Sequence, residues 1–287
     1  MRISEASIYV TGTGEWEPGP LSALKYEELQ RLMLLTTDKR VQERYRNRAK
    51  MLAEIIESGK RKINPHLPFH EVMQDGAWAG ERCFVIGGGP SLTGFDFERL
   101  RGKGRIIAIN KAYIDVPFAD IAFFMDGSSN TFYGLLKSGR FGQEALEKWN
   151  EFRGHKVFLN LMGRKFDDVY SIRSAGRTGL SNSIKKGIFH GNNSGVSAVG
   201  LAVCLGANPI YLLGIDCKFE GNKTHYHSGY PAKMPESVFK SFAHNFERMH
   251  RFLSRTRFRV VNLNPQSGVR CFPFLTFDEV LGNRKTE

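Results

Sequence analysis

The 287-residue sequence predicts an α/β fold: a Rossmann-like, mostly parallel sheet with helices on both faces, preceded by an N-terminal helical hairpin. Three observations carry this reading. From Cys83 onward, short apolar runs bounded by Gly, Asn and Asp alternate with helical stretches, as expected of strands buried on both faces of a parallel sheet. The first of these runs passes straight into Gly87-Gly88-Gly89, a backbone able to turn sharply at a strand end. Before position 76 the alternation is missing and only helical periodicity is found, which divides the chain into residues 1–75, an arm with a hairpin, and 76–287, the sheet domain.

The arm contains Gly12, Gly14, Pro18, Gly19 and Pro20 and reads as irregular, with a short strand at Ile8–Val10. Leu24, Tyr26, Leu29, Leu32, Met33 and Leu35 recur at helical spacing, and so do Val41, Tyr45, Ala49, Leu52, Ile55 and Ile56. Thr36-Thr37-Asp38 can end the first helix and cap the second, and Gly59, Pro65 and Pro68 close the hairpin. Strands are then predicted at Cys83–Ile86, Arg105–Ile109, Ile121–Met125, Val157–Leu161, Ile210–Leu213 and Arg259–Leu263. Helices are predicted at Phe97–Arg101, Gly142–Phe152, Val196–Leu205 and Ser237–Leu253.

Bulk properties narrow the class. The longest nearly apolar run, Ala198 to Leu205, is far short of the ~20 residues of a membrane span, and no apolar signal region follows Arg2. Cys83, Cys204, Cys217 and Cys271 are scattered without a C-x-x-C, which argues against a disulfide framework or zinc site and for the cytoplasm. Net charge is +12. Residues 38–62 hold nine Lys/Arg against four Asp/Glu, and residues 237–259 hold six against one. Such a field attracts polyanions, nucleic acid or an anionic glycan among them, or else marks a solvated helix face.

In doubly wound sheets ligands bind beyond the carboxyl ends of the strands. At the first of these ends stand Gly87, Gly88, Gly89, Pro90 and Ser91, where glycines admit a phosphate closely and Ser91 can cap or donate a hydroxyl. Asn110 ends the second predicted strand at the distance where a ribose contact commonly falls, or is a turn residue. Asp126 ends the third as a ligand contact, metal ligand or cap. Asn193, Ser194 and Gly195 open an apolar helix whose free N–H groups can receive an anion, with N-capping as the plain alternative. Asp216 ends the fifth strand, and a loop with His225, Tyr226 and His227 follows. In an extended segment the two imidazoles would face one side, and either could take a proton from a hydroxyl. Two histidines with distant aspartates do not make a closed zinc site.

Residues Cys83–Leu92, Ile106–Tyr113, Ala119–Asp126, Asn193–Asp216 and Thr224–Ser228, with the tail Asn262–Ser267, resemble two related families. One is the bacterial lipooligosaccharide sialyltransferases; the other is the 6-hydroxymethylpterin pyrophosphokinase-like family, with its flagellin accessory factors and phage relatives. The resemblance covers roughly residues 80–282 and implies that Gly87–Ser91, Asn110 and Asn193–Gly195 surround a nucleotide. It matches His227, followed by Ser228, to the sialyltransferases' general base. Gly88 stands where those enzymes carry Asn, as in the pyrophosphokinase-like branch.

These readings give an expected transferase with a nucleotide-activated donor of the CMP- or UDP-sugar type: a sialyltransferase-like glycosyltransferase in which a His base serves a hydroxyl acceptor. The alternatives are a diphosphokinase that moves pyrophosphate from ATP with magnesium on Asp126 and Asp216, and a non-catalytic nucleotide-binding or phage assembly protein. No D-x-D occurs to carry the metal bridge of many nucleotide-sugar transferases.

Overall fold

The computed structural model describes residues 8–10, 16–18, 39, 42–43, 46, 68–125, 127–161, 163–219, 224–228, 230 and 235–281. Strands β1 (Ile8–Val10) and β2 (Trp16–Pro18) pair antiparallel, so the expected strand at Ile8–Val10 forms. The predicted hairpin lies outside the described residues, apart from helical positions 39, 42, 43 and 46.

The rest is built on one eight-stranded sheet. Its strands are β3 (Cys83–Ile86), β4 (Arg105–Ile109), β5 (Ile121–Phe124), β6 (His155–Asn160), β7 (Tyr170–Gly176), β8 (Ile188–Phe189), β9 (Ile210–Leu213) and β10 (Val260–Asn262). They lie in the order β10-β9-β3-β4-β5-β6-β7-β8, and every pairing is parallel. The sheet is therefore wholly parallel rather than mostly so, and the fold is α/β and Rossmann-like.

Period-two side-chain alternation splits the core into two layers. Cys83, Val85, Ile107, Ile109, Ile121 and Phe123 point to one face. Phe84, Ile86, Ile106, Ala108, Ala122 and Phe124 point to the other. Helix α1 (Phe132–Lys137) and helix α2 (Gln143–Glu151) cover the second face through Phe132, Leu136 and the fully buried Trp149. Helix α3 (Ser194–Cys204) covers the first face and is buried along its whole apolar length after Ser194. Helix α4 (Glu236–Leu253) packs beside it through Phe246, Met249 and Leu253, and α5 (Phe277–Leu281) returns to the second face. Helices thus cover both faces, as predicted.

The differences from the predicted elements have physical causes. Phe97–Leu100 forms a 3-10 turn in place of a helix. Strand β6 starts at His155, two residues before its apolar run. Strand β7 was not predicted because Tyr170-Ser171-Ile172-Arg173 alternates with polar residues near the sheet edge. The basic residues after α4 fall at its far end, where Arg251, Arg255, Arg257 and Arg259 are exposed. Cations suit a helix C-terminus, so part of this charge has a local reason.

The connectivity defines the ligand position. From β3 the chain adds β4, β5 and β6 on one side, then crosses by α3 to place β9 on the other. The carboxyl ends of β3 and β9 therefore diverge at a topological switch point, where open α/β sheets bind ligands.

Candidate functional site

A cavity of about 160 Å3 opens at this switch point. Its wall takes the residues just past the strand ends: Gly87–Gly89 after β3, Asn110 after β4, Met125 after β5 and Gly214–Cys217 after β9. Asn193–Gly195 at the start of α3, His225 from the following loop and Phe239 and Phe242 from α4 complete it.

The three glycines serve different ends. A Cβ on Gly87 would stand 2.5 Å from the Gly214 carbonyl oxygen, and one on Gly89 would collide with the Asp216 carboxyl carbon. These two are small because the β9 loop crosses them, and Gly87 N and Gly89 N donate to the carbonyls of Leu213 and Gly214, each at 2.8 Å. Gly88 faces outward, and a Cβ there would meet His225 Cδ2 at 3.1 Å. It alone of the three keeps space for a ligand beside an imidazole.

Asp216 fixes the loop. Its Oδ2 accepts from Ser91 N at 2.8 Å, and its Oδ1 from Ser91 Oγ and Asn264 Nδ2, each at 2.7 Å. Three of a carboxylate's roughly four acceptor sites are thereby taken, a poor fit for magnesium. Among the described residues no group of three or more His, Cys, Asp or Glu gathers into a possible metal site. Through these bonds Asp216 braces the glycine turn while lining the cavity. Asp126 lies outside the described residues. Ser91 spends its hydroxyl on Asp216, and neither Pro90 nor Ser91 lines the cavity. The tail noted in the sequence braces the same turn, with Ser267 Oγ donating to the Ile215 carbonyl at 2.7 Å and Gly268 N to that of Asp216 at 2.7 Å.

Helix α3 presents a capped N-terminus. Asn193 Oδ1 accepts from Gly195 N at 2.7 Å and Val196 N at 3.4 Å, a cap contributing about 1 kcal/mol. Asn193 is the cap, and Ser194, the first helical residue, brings an N–H without an intrahelical acceptor to the cavity wall.

The histidine loop bends at Thr224, Tyr226 and His227 instead of running extended, yet both imidazoles approach Gly88: a Cβ there would stand 3.1 Å from His225 Cδ2 and 3.9 Å from His227 Cδ2. Tyr226 N donates to the Gly88 carbonyl at 3.0 Å, Tyr226 OH to Asp115 Oδ2 at 3.1 Å, and Lys111 Nζ to the Ser228 carbonyl at 2.6 Å. These bonds clamp the loop over the glycine turn. His225 lines the cavity, with Nδ1 3.0 Å from Thr224 Oγ1 and its ring stacked on Tyr230 at 4.8 Å between centroids. Burial, then the Lys111 charge, lowers its pKa, so the ring is neutral at pH 7. His227, expected as the base, is the farther of the two from Gly88. Its side chain is 8% exposed, its Nδ1 lies 3.6 Å from Asp115 Oδ2, and it does not line the cavity. Burial pushes its pKa down to about 3, with Lys111 and His225 adding to the effect. Tyr226 likewise aims its hydroxyl at Asp115 and not at the cavity.

Asn192, Cys217, Phe239 and Phe242 are wall residues that escaped sequence reasoning. Asn192 and Cys217, with the expected Asn110, are the non-glycine residues with positive φ among those described, at +51°, +47° and +51° in that order, and all three line the cavity. Left-handed backbone outside glycine costs of order 1 kcal/mol each and gathers where a site demands it. For Asn192 the doublet Asn192-Asn193 was the available signal, since Asn tolerates this conformation. Phe239 and Phe242 look like ordinary core positions of an amphipathic helix and carried no signal of their own.

No protein-family model matches the chain, and no curated protein matches its sequence. Among solved structures it is similar to the sialyltransferase CstII from Campylobacter jejuni in complex with cytidine-5'-monophosphate, at 16% identity and a TM-score of 0.42 over 69% of this chain and 86% of that one. The same enzyme in complex with CMP-3FNeuAc gives 16% and 0.41 over 68% and 86%. CST-II in complex with a trisaccharide acceptor and CMP gives 18% and 0.38 over 68% and 86%. At these values the likeness assigns no activity. Among the described residues no helix is long and apolar enough to cross a membrane.

Proposed function

We propose that the chain is a transferase with a nucleotide-activated sugar donor, a glycosyltransferase in which His225 serves as general base. The observation that carries this reading is the meeting of a neutral imidazole with the outward glycine of a phosphate-type turn, at the switch point of a parallel sheet. Gly88 and the first N–H of α3 suit the phosphate of the donor, and Asn110 offers a donor and an acceptor to a ribose or base edge. His225 takes the proton of the acceptor hydroxyl while its oxygen bonds to the anomeric carbon. The bond from that carbon to the phosphate oxygen breaks, and the nucleotide leaves with the electron pair.

The enclosed 160 Å3 is below the ~300 Å3 at the small end of ligand pockets, so part of such a donor lies beyond the wall, on the acceptor side. The exposed arginines beyond α4 stand most of a helix length from Phe239, about 21 Å along α4 to Leu253. A polyanionic acceptor, nucleic acid or anionic glycan, has to be long to touch both.

Calorimetric titration with CMP, UDP and ATP, with and without magnesium, tests the donor class. The expected result is CMP or UDP binding that needs no metal and is lost in Gly88→Val, where a branched side chain would press on His225 and fill the turn. Magnesium-dependent ATP binding alone, or unchanged nucleotide affinity in folded Gly88→Val, counts against it.

A further inference from the structure

A larger cavity of about 500 Å3 lies at the opposite, amino edge of the sheet, where β4, β5 and β6 begin. Arg105 is the first residue of β4, Ala119 and Asp120 lead into β5, and Arg153 and Gly154 lead into β6. Its volume falls within the ~300–1,000 Å3 of small-molecule sites.

Arg101, Arg105 and Arg153 line this cavity together with one carboxylate, Asp120, and the three guanidinium groups are not equivalent. Arg105 is committed: Nε and Nη2 donate to Glu81 at 2.8 and 2.9 Å, and Nη1 to Asp120 at 3.0 Å. It is a fixed piece of wall. Arg101 gives Nε and Nη2 to Glu98 at 2.6 and 2.8 Å, which leaves Nη1, and its plane covers the Phe118 ring at 3.9 Å. Arg153 is exposed and makes no hydrogen bond or ion pair among the described residues. The cavity thus has two cations with donors to spare, beside apolar walls from Phe118 and Trp78.

We propose that this cavity is a second ligand site, which takes a small phosphorylated molecule with a flat aromatic portion. The three terminal oxygens of a phosphate can engage both Arg153 and Arg101 Nη1, whereas a carboxylate is satisfied by one guanidinium fork. The aromatic portion packs on the partly exposed Phe118, while Trp78, 2% exposed, backs the wall. Exposed Arg255, Arg257 and Arg259 precede β10 along the same edge, three strands or about 15 Å from β4, and add to a field that draws anions there. The two cavities lie on opposite edges of the sheet, so this site stands whether or not the donor reading holds.

The test is calorimetry of the full chain with phenyl phosphate and with inorganic phosphate, on wild type, Arg153→Ala, Phe118→Ala and Gly88→Val. The expected result is phenyl phosphate binding that weakens at least about tenfold in Arg153→Ala, a loss of one charge-assisted contact. In Phe118→Ala the affinity should fall toward that of inorganic phosphate, and in Gly88→Val this component should persist. Arg153 is exposed and Phe118 partly so, and circular dichroism checks each fold. The proposal is overturned if wild type gives no heat up to about 10 mM, beyond millimolar Kd. It is equally overturned if Arg153→Ala binds as wild type does, or if Gly88→Val abolishes all binding.

Discussion

Replacing His225 by Ala should lower turnover by about 10²–10⁴-fold while nucleotide affinity changes little, because the lost group acts on the acceptor proton and not on the donor. His227→Ala should cost much less than His225→Ala, since its ring does not line the cavity and packs against Tyr226, 3.7 Å between centroids. The pH profile separates a base from a mere packing group. Only the neutral imidazole accepts a proton, and burial with the nearby Lys111 charge lowers the pKa of His225. Turnover should therefore hold as pH falls through the ordinary imidazole value of about 6.5, and drop only below the lowered pKa. A larger loss from His227→Ala, or a His225→Ala enzyme with an unchanged acidic limb, would return the role to His227 or to another group.

Asp216→Ala should destabilise the fold by roughly 2 kcal/mol, because it strips acceptors from Ser91 N, Ser91 Oγ and Asn264 Nδ2 at once. The glycine turn loses its anchor, so nucleotide affinity should fall with it. Asp216→Asn keeps one carbonyl acceptor and can donate to the Ser91 hydroxyl, so it should recover about half of the loss. Urea unfolding of the three proteins measures this, with the midpoint moving at nearly constant slope. A variant with wild-type stability but no turnover would instead restore Asp216 to catalysis or to metal binding.

Much of this architecture was legible in the sequence because its strands are buried on both faces. Cys83–Ile86 and Ile121–Phe124 are four-residue apolar runs that stay apolar whichever face each residue meets. Strand β7 lacks that property, and β8, with two residues, carries almost no pattern at all. Helix α1 is six residues with a glycine inside it, where Gly134 passes against the Ser128 carbonyl, so neither length nor propensity announced it. The site was legible as a set of strand ends but not as a division of labour. That Gly87 and Gly89 yield to the β9 loop while Gly88 stays open depends on Gly214 and Asp216, more than 120 positions away. Both imidazoles reach Gly88, and that His225 alone of the two lines the cavity depends on a loop whose Tyr226 N–H is held by the Gly88 carbonyl, a contact no spacing announces. Lys111 and Asp115, which pin the loop, sit in a short turn after β4 and gave no signal next to Asn110.

The most direct measurement is phosphorus NMR of a CMP- or UDP-sugar incubated with the wild-type chain and with His225→Ala. The account predicts release of the free nucleotide by wild type without added metal, faster with a hydroxyl acceptor present, and a rate about 10²–10⁴-fold lower in the variant. An intact donor with wild type, or equal release by His225→Ala, would contradict it.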